Sequence, residues 1–145
     1  MPLIAKLLIL AVAAQVFLTI AILVLMGRER VPRVMSGEID VKAIAVERDA
    51  YPLKARLLSN SFDNQFQLPI LFYVAALLAL LVGGVTWLEV IAAWLFVGLR
   101  YAHAAIHVTT NHVLNRFAVY ASGLAVLTIL WLMVLFRLLV LSPGL

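Results

Sequence analysis

Arg100, His103, His107 and Asn111 recur at intervals of three to four residues within an otherwise apolar part of the chain. On a helix of about 3.6 residues per turn they stack into one polar stripe. The stripe begins at the end of the apolar run Ile91 to Leu99, while Trp94, Leu95 and Ile106 offer greasy surface around it. An arginine inside a lipid-immersed helix costs about 2.5–3.5 kcal/mol on insertion scales, so it normally faces a bundle interior or a wet cavity. Three chemistries fit. The guanidinium and imidazoles can line a site for an anionic ligand. They can serve structure alone, with Arg100 paired to an acid on a neighbouring helix. Or His103 and His107, one turn apart, can share a metal ion or haem iron, although no nearby carboxylate completes a metal site.

A second polar group precedes the next apolar run: Arg56, Asn60, Asp63, Asn64 and Gln67, followed by Pro69. In helical spacing Arg56, Asn60, Asp63 or Asn64, and Gln67 share a face. Alone, this reads as a solvated helix end. A tight connection at Gly83-Gly84 brings this segment alongside the stripe, so Asp63 is expected to act as counter-ion to Arg100. Arg28, Arg30 and Arg33 follow the first apolar run directly, and Arg116 opens the last one. Each is either a headgroup anchor or, at a helix terminus, a holder of carboxylate or thiolate.

The elements that must position these groups are themselves apolar. Of 145 residues 66% are hydrophobic and 12% charged, and the mean hydropathy is +1.11, far from the balance of a soluble domain. Four runs are long enough for a hydrocarbon core of about 30 Å: about 5–26, 57–82, 88–108 and 117–140. A cleaved leader ending near Ala11-Val12-Ala13 leaves an apolar core of only Leu7 to Leu10, so the first run reads as a retained span. The segment 27–56, punctuated by Gly27, Pro32, Gly37 and Pro52, reads as a long loop with a short helix around Val41 to Arg48. Pro69 is expected to kink the second span or to mark where it dips into the hydrocarbon. The expected fold is all-α: a single-domain (1–145) integral membrane four-helix bundle.

Seven of the eleven Lys/Arg residues lie within 27–56 together with five of the seven acids, so that segment carries only +2 of the chain's +4. This distribution fits headgroup contact and topology rather than a nucleic-acid surface. It places the 27–56 loop and the 109–116 turn in the cytoplasm, with both termini outside. The chain has no cysteine, which excludes a disulfide framework, a thiolate metal site and a cysteine nucleophile. Any thiol chemistry needs a thiol brought by a ligand. The short length and the lack of an inverted repeat argue against a transporter.

With these residues in place, the chain resembles the MAPEG family, the membrane-associated proteins of eicosanoid and glutathione metabolism, over roughly residues 10–140. Arg100, His103 and the position of His107 follow that family's Arg-x-x-His-x-x-x-Tyr pattern, with histidine in place of tyrosine. Arg116 falls where the family has its thiolate-stabilising arginine, and Arg30 resembles the arginine that ends the first span in some members. The span-two signature fits in two registers, one through Arg56, Asn60 and Asp63, the other through Asn64 and Gln67 with glutamine replacing the acid. The resemblance implies a bacterial-type member in the inner membrane, forming a homotrimer with active sites between subunits near the cytoplasmic face. It also implies glutathione as co-substrate, with Arg116 and His107 as catalytic residues. Arg30, Arg56, Asn60, Asp63, Asn64, Gln67, Arg100 and His103 would then bind the tripeptide. The reaction implied is glutathione transfer to a lipophilic small molecule, or reduction of a lipid hydroperoxide. The Gln67 and His107 departures leave a non-catalytic lipid- or partner-binding protein on the same scaffold as the alternative.

Overall fold

A computed structural model describes residues 1–45 and 48–141. The fold is all-α among the described residues. Helices α1 (Leu3–Met35), α2 (Leu53–Asp63), α3 (Leu68–Val82), α4 (Trp87–Val108) and α5 (Val113–Phe136) follow in chain order. A 3-10 turn at Val41–Ile44 sits in the α1–α2 connection, another at Asn64–Phe66 joins α2 to α3, and a π turn (Arg137–Leu141) follows α5. By length and composition α1, the α2–α3 pair, α4 and α5 with its following turn can each cross a membrane. The protein is an integral, multi-pass membrane protein.

Alanines make the packing close. Ala75, Ala76 and Ala79 of α3, Ala92 and Ala93 of α4 and Ala11 of α1 are buried in one core with Leu8, Phe72, Phe96, Leu127, Leu130 and Val134. Small side chains at helix contacts let backbones approach, which is how helices associate where lipid removes the hydrophobic driving force. Phe72 and Phe96 stack at 4.9 Å between ring centroids across the α3–α4 contact. Large apolar residues such as Phe17, Leu81, Leu132 and Leu139 point outward, as lipid-facing positions should. Helix α4 is the most sheltered: half of its most apolar window is buried, against 28% for α1 and for α5. That shelter is what allows it to carry a polar stripe.

Two boundaries differ from the sequence expectation. The expected loop 27–56 starts late and ends early, because α1 continues unbroken through Gly27 and Pro32 to Met35. At about 1.5 Å per residue a 33-residue helix is roughly 50 Å long, so its last turns stand clear of a 30 Å hydrocarbon core. Tertiary contact offsets the weak helix formers there. Arg33 and Lys54 both pair with Glu29, and Val34 packs on the small cluster Ile39, Tyr51 and Ala55. The turn at Gly37 (φ +76°) then ends the helix, a conformation glycine adopts without a Cβ clash. The expected helix around Val41 to Arg48 is a 3-10 turn of four residues, Val41–Ile44; Val46 and Glu47 lie outside the described residues.

The second span is broken rather than bent. After α2 the backbone tightens into the 3-10 turn and passes through Gln67 (φ −102°, ψ −104°) before α3 begins with Pro69 in its first turn. Proline lacks the N–H an interior helical residue would donate, but is well suited to a helix start. At the other end of the bundle, Thr86 and Glu89 form a capping box that starts α4.

Candidate functional site

The stripe, the broken span and the start of α5 meet in one cleft of about 280 Å³. It is lined by Asn64, Gln67, His103, His107, Val113, Arg116, Phe117 and Tyr120. Each group arrives for a local reason. His103 and His107 are successive turns of α4, with ring centroids 5.8 Å apart, and the His103 ring lies 5.7 Å from that of Tyr120. Asn64 and Gln67 reach the cleft because the 3-10 turn swings the backbone between α2 and α3. Arg116 and Tyr120 stand one turn apart on the first turns of α5.

Beneath the cleft, Arg100 is 1% exposed. Its Nη2 donates to the Asn64 carbonyl at 2.8 Å, while Nε and Nη1 have no hydrogen-bond partner among the described residues. The Nδ1 atoms of His103 and His107 are likewise buried without partners among those residues. Among the described residues no carboxylate stands within salt-bridge distance of Arg100 or Arg116. A buried guanidinium with spare donors and no counter-ion attracts an anion strongly. The same residues contain no cluster of three His, Asp or Glu side chains arranged for a metal ion.

Asn111 does not extend the helical stripe. Helix α4 stops at Val108, and Asn111 sits in the following turn with φ +48°, a region asparagine tolerates better than most residues. From there its Oδ1 accepts a 2.6 Å hydrogen bond from Arg116 Nη1. The turn residue therefore aims the arginine.

Several expected site residues lie elsewhere. Asp63 is not the counter-ion of Arg100: it is exposed and accepts from Arg48 at 2.5 Å, which raises the Arg48 pKa above its ordinary value. The break in span two turns Asp63 outward. Asn60 is exposed, and its carbonyl accepts from Asn64 Nδ2 at 2.9 Å. Arg56 pairs with Asp49 at 3.1 Å, and the Arg30 guanidinium stacks 4.2 Å above the Tyr51 ring. Of the two span-two registers, the structure brings Asn64 and Gln67 to the cleft and leaves Arg56, Asn60 and Asp63 outside it.

Three other polar features had no sequence expectation. Tyr120 carries a signal in hindsight, since it follows Arg116 by one helical turn. Gln15 and Gln65 meet in the buried interior at 3.0 Å. Glu89 and Arg137 form a buried ion pair at the opposite end of the bundle, a pairing that only the antiparallel arrangement of α4 and α5 reveals.

Residues 8–136 match the model of the MAPEG family. No curated protein and no solved structure matches the chain.

Proposed function

The chain belongs to the MAPEG family, and from that premise we propose that it is a glutathione-dependent enzyme acting on lipophilic electrophiles at the Arg116 cleft. The observation that carries the reading is a cleft with Arg116 in its wall and Arg100 buried one helical turn before the cleft residue His103, with no carboxylate among the described residues within salt-bridge distance of either. A thiol bearing carboxylates satisfies both. At about 280 Å³ the cleft lies just below the usual range for small-molecule sites, about 300–1,000 Å³. A neighbouring protomer of a homotrimer completes it in this reading. The loop end of the bundle faces the cytoplasm of a bacterial cell, where the tripeptide is dissolved, and the chain lies in the inner membrane.

Bound glutathione supplies the sulfur nucleophile. A free thiol has a pKa near 8.5, and a guanidinium beside it lowers that value so that more thiolate exists at neutral pH. Arg116 takes this role, held in aim by Asn111. Arg100 and His103 receive ligand carboxylate, and the amides of Asn64 and Gln67 hold its peptide groups. His107 cannot supply a phenolic hydroxyl; Tyr120 offers one from across the cleft. Phe117 and Val113 give the bilayer side an apolar wall, along which a lipophilic electrophile approaches. The acceleration is mainly positioning and charge stabilisation. In conjugation the S–C bond forms as the electrophile's bond to its leaving group breaks, the leaving group departing as an anion and the thiol proton passing to solvent. With a lipid hydroperoxide the O–O bond breaks to give the alcohol and water while two thiols are oxidised to a disulfide.

The test is turnover of a chromogenic electrophile by detergent-purified protein with glutathione. Wild type is expected to turn over, and Arg116→Ala to lose turnover while keeping the same oligomer. Equal turnover in the two proteins would remove the proposal. A second reading has one feature in its favour: Gln67 is an amide where the family carries an acid. It makes the chain a lipid- or partner-binding protein without catalysis, and predicts co-purifying lipid with no thiol-dependent activity.

A further inference from the structure

The 3-10 turn Asn64–Phe66 is gripped from two sides. Arg100 holds its first residue through the Asn64 carbonyl. The second grip comes from α1, where Gln15 Nε2 donates to Gln65 Oε1 at 3.0 Å. Gln65 in turn donates through Nε2 to the Ser61 carbonyl at 3.1 Å, closing back onto α2. Gln15 is fully buried and Gln65 is 1% exposed. Gln15 also anchors locally, its carbonyl accepting from Thr19 Oγ1 at 3.2 Å.

Two glutamines facing each other inside a membrane bundle are a poor stability device. The pair makes one hydrogen bond, and Gln15 Oε1 is buried without a partner among the described residues. Two leucines would fill similar volume with no polar atom to satisfy, and replacing both members of a buried pair by apolar groups is often neutral or favourable. What the pair does is local. Gln65 is flanked by Asn64 and, two residues on, Gln67, both of which line the cleft. Pro69 prevents the segment from continuing as regular helix, so the turn needs an outside fixture.

We propose that Gln15 is a positioning residue for the thiol site: from α1 it clamps Gln65, and so fixes the turn that presents Asn64 and Gln67 to the cleft. The proposal rests on the glutathione reading for its ligand, but not for its geometry. The test compares Gln15→Leu, the double variant Gln15→Leu/Gln65→Leu, and Gln15→Glu, whose neutral carboxyl can still donate to Gln65. Displacement of a positioned group by about 1 Å can cost up to a hundredfold. Gln15→Leu is therefore expected to weaken glutathione binding roughly tenfold or more and to lower the thermal midpoint. The double variant recovers the midpoint and stays weak in binding, while Gln15→Glu binds close to wild type. Recovery of binding together with the midpoint in the double variant would reduce the pair to packing and overturn the proposal.

A second arm needs no glutathione. The chain has no cysteine, so Gln67→Cys is a single reporter for alkylation by a water-soluble maleimide. Its rate is expected to rise several-fold when Gln15→Leu/Gln65→Leu is added, as the turn leaves its fixed place. An unchanged rate defeats the clamp. If wild type fails to bind glutathione, the functional reading falls and this rate still decides the role of Gln15.

Discussion

Replacing Arg137 by methionine should be among the most damaging single changes available in this chain, although it lies far from the cleft. The Arg137 guanidinium donates to Glu89 Oε1 from Nε at 3.1 Å and from Nη2 at 3.0 Å. It also donates to the Ala79 carbonyl at 3.1 Å and to the Gly83 carbonyl. Those carbonyls close α3, where Gly83 N bonds Leu80 and leaves Ala79 without its helical donor. One side chain thus neutralises Glu89 and caps a helix. Glu89 is 1% exposed, and its other oxygen is committed to the Thr86 backbone N–H at 2.7 Å. Arg137→Met leaves a buried carboxylate uncompensated, a loss of about 3–5 kcal/mol. At about 2–4 °C per kcal/mol for a chain of this size, the thermal midpoint should fall by roughly 6–20 °C. Circular dichroism melting in a single detergent measures it. Adding Glu89→Gln, which removes the orphan charge and keeps a cap for Thr86, should recover at least half of the loss. A fall of under about 2 °C for Arg137→Met, or no recovery in the double variant, would refute the charge argument. Glutathione binding below the melt should be untouched, since Glu89 and His107 stand eighteen positions apart on α4, about 27 Å.

Arg100→Gln keeps a donor for the Asn64 carbonyl but removes the charge. It should weaken glutathione binding at least tenfold in calorimetric titration, with the thermal midpoint unchanged or raised because a buried cation with no partner carboxylate among the described residues has gone. Asn111→Gly accepts the positive φ and deletes only the hydrogen bond to Arg116; kcat/KM for conjugation should fall roughly tenfold with the helical content unchanged. Asp63→Asn breaks an exposed pair with Arg48, so stability should move by no more than about 1 kcal/mol. Affinity for glutathione should stay within about twofold (under roughly 0.5 kcal/mol), as read by the same titration.

The architecture was largely legible because lipid enforces simple rules. Apolar length and the Gly83-Gly84 punctuation report helices and their order, and Arg100 in an apolar run reports a sheltered face. The ends of helices were less visible. Composition alone made Gly27 and Pro32 look like loop residues, whereas the pairs Glu29–Arg33 and Glu29–Lys54 keep α1 helical past the hydrocarbon. The site was half legible for a related reason. Helical spacing correctly groups Arg100, His103 and His107, because they share one unbroken helix. It wrongly continues through span two and through the turn after Val108. The 3-10 break turns Asp63 away and Gln67 in, and the turn makes Asn111 a partner of Arg116 rather than a member of the stripe. Pairs separated by about fifty residues, Gln15–Gln65 and Glu89–Arg137, leave no periodic trace; only packing reveals them.

The most direct test of the account is the ionisation of the bound thiol. Ultraviolet difference absorbance of glutathione thiolate, followed against pH in the presence of purified protein, reports the pKa of the sulfur in the cleft. In wild type the bound sulfur should titrate well below the free-thiol value of about 8.5, and Arg116→Ala should abolish that lowering. A bound thiol that titrates at the free value in both proteins would contradict it.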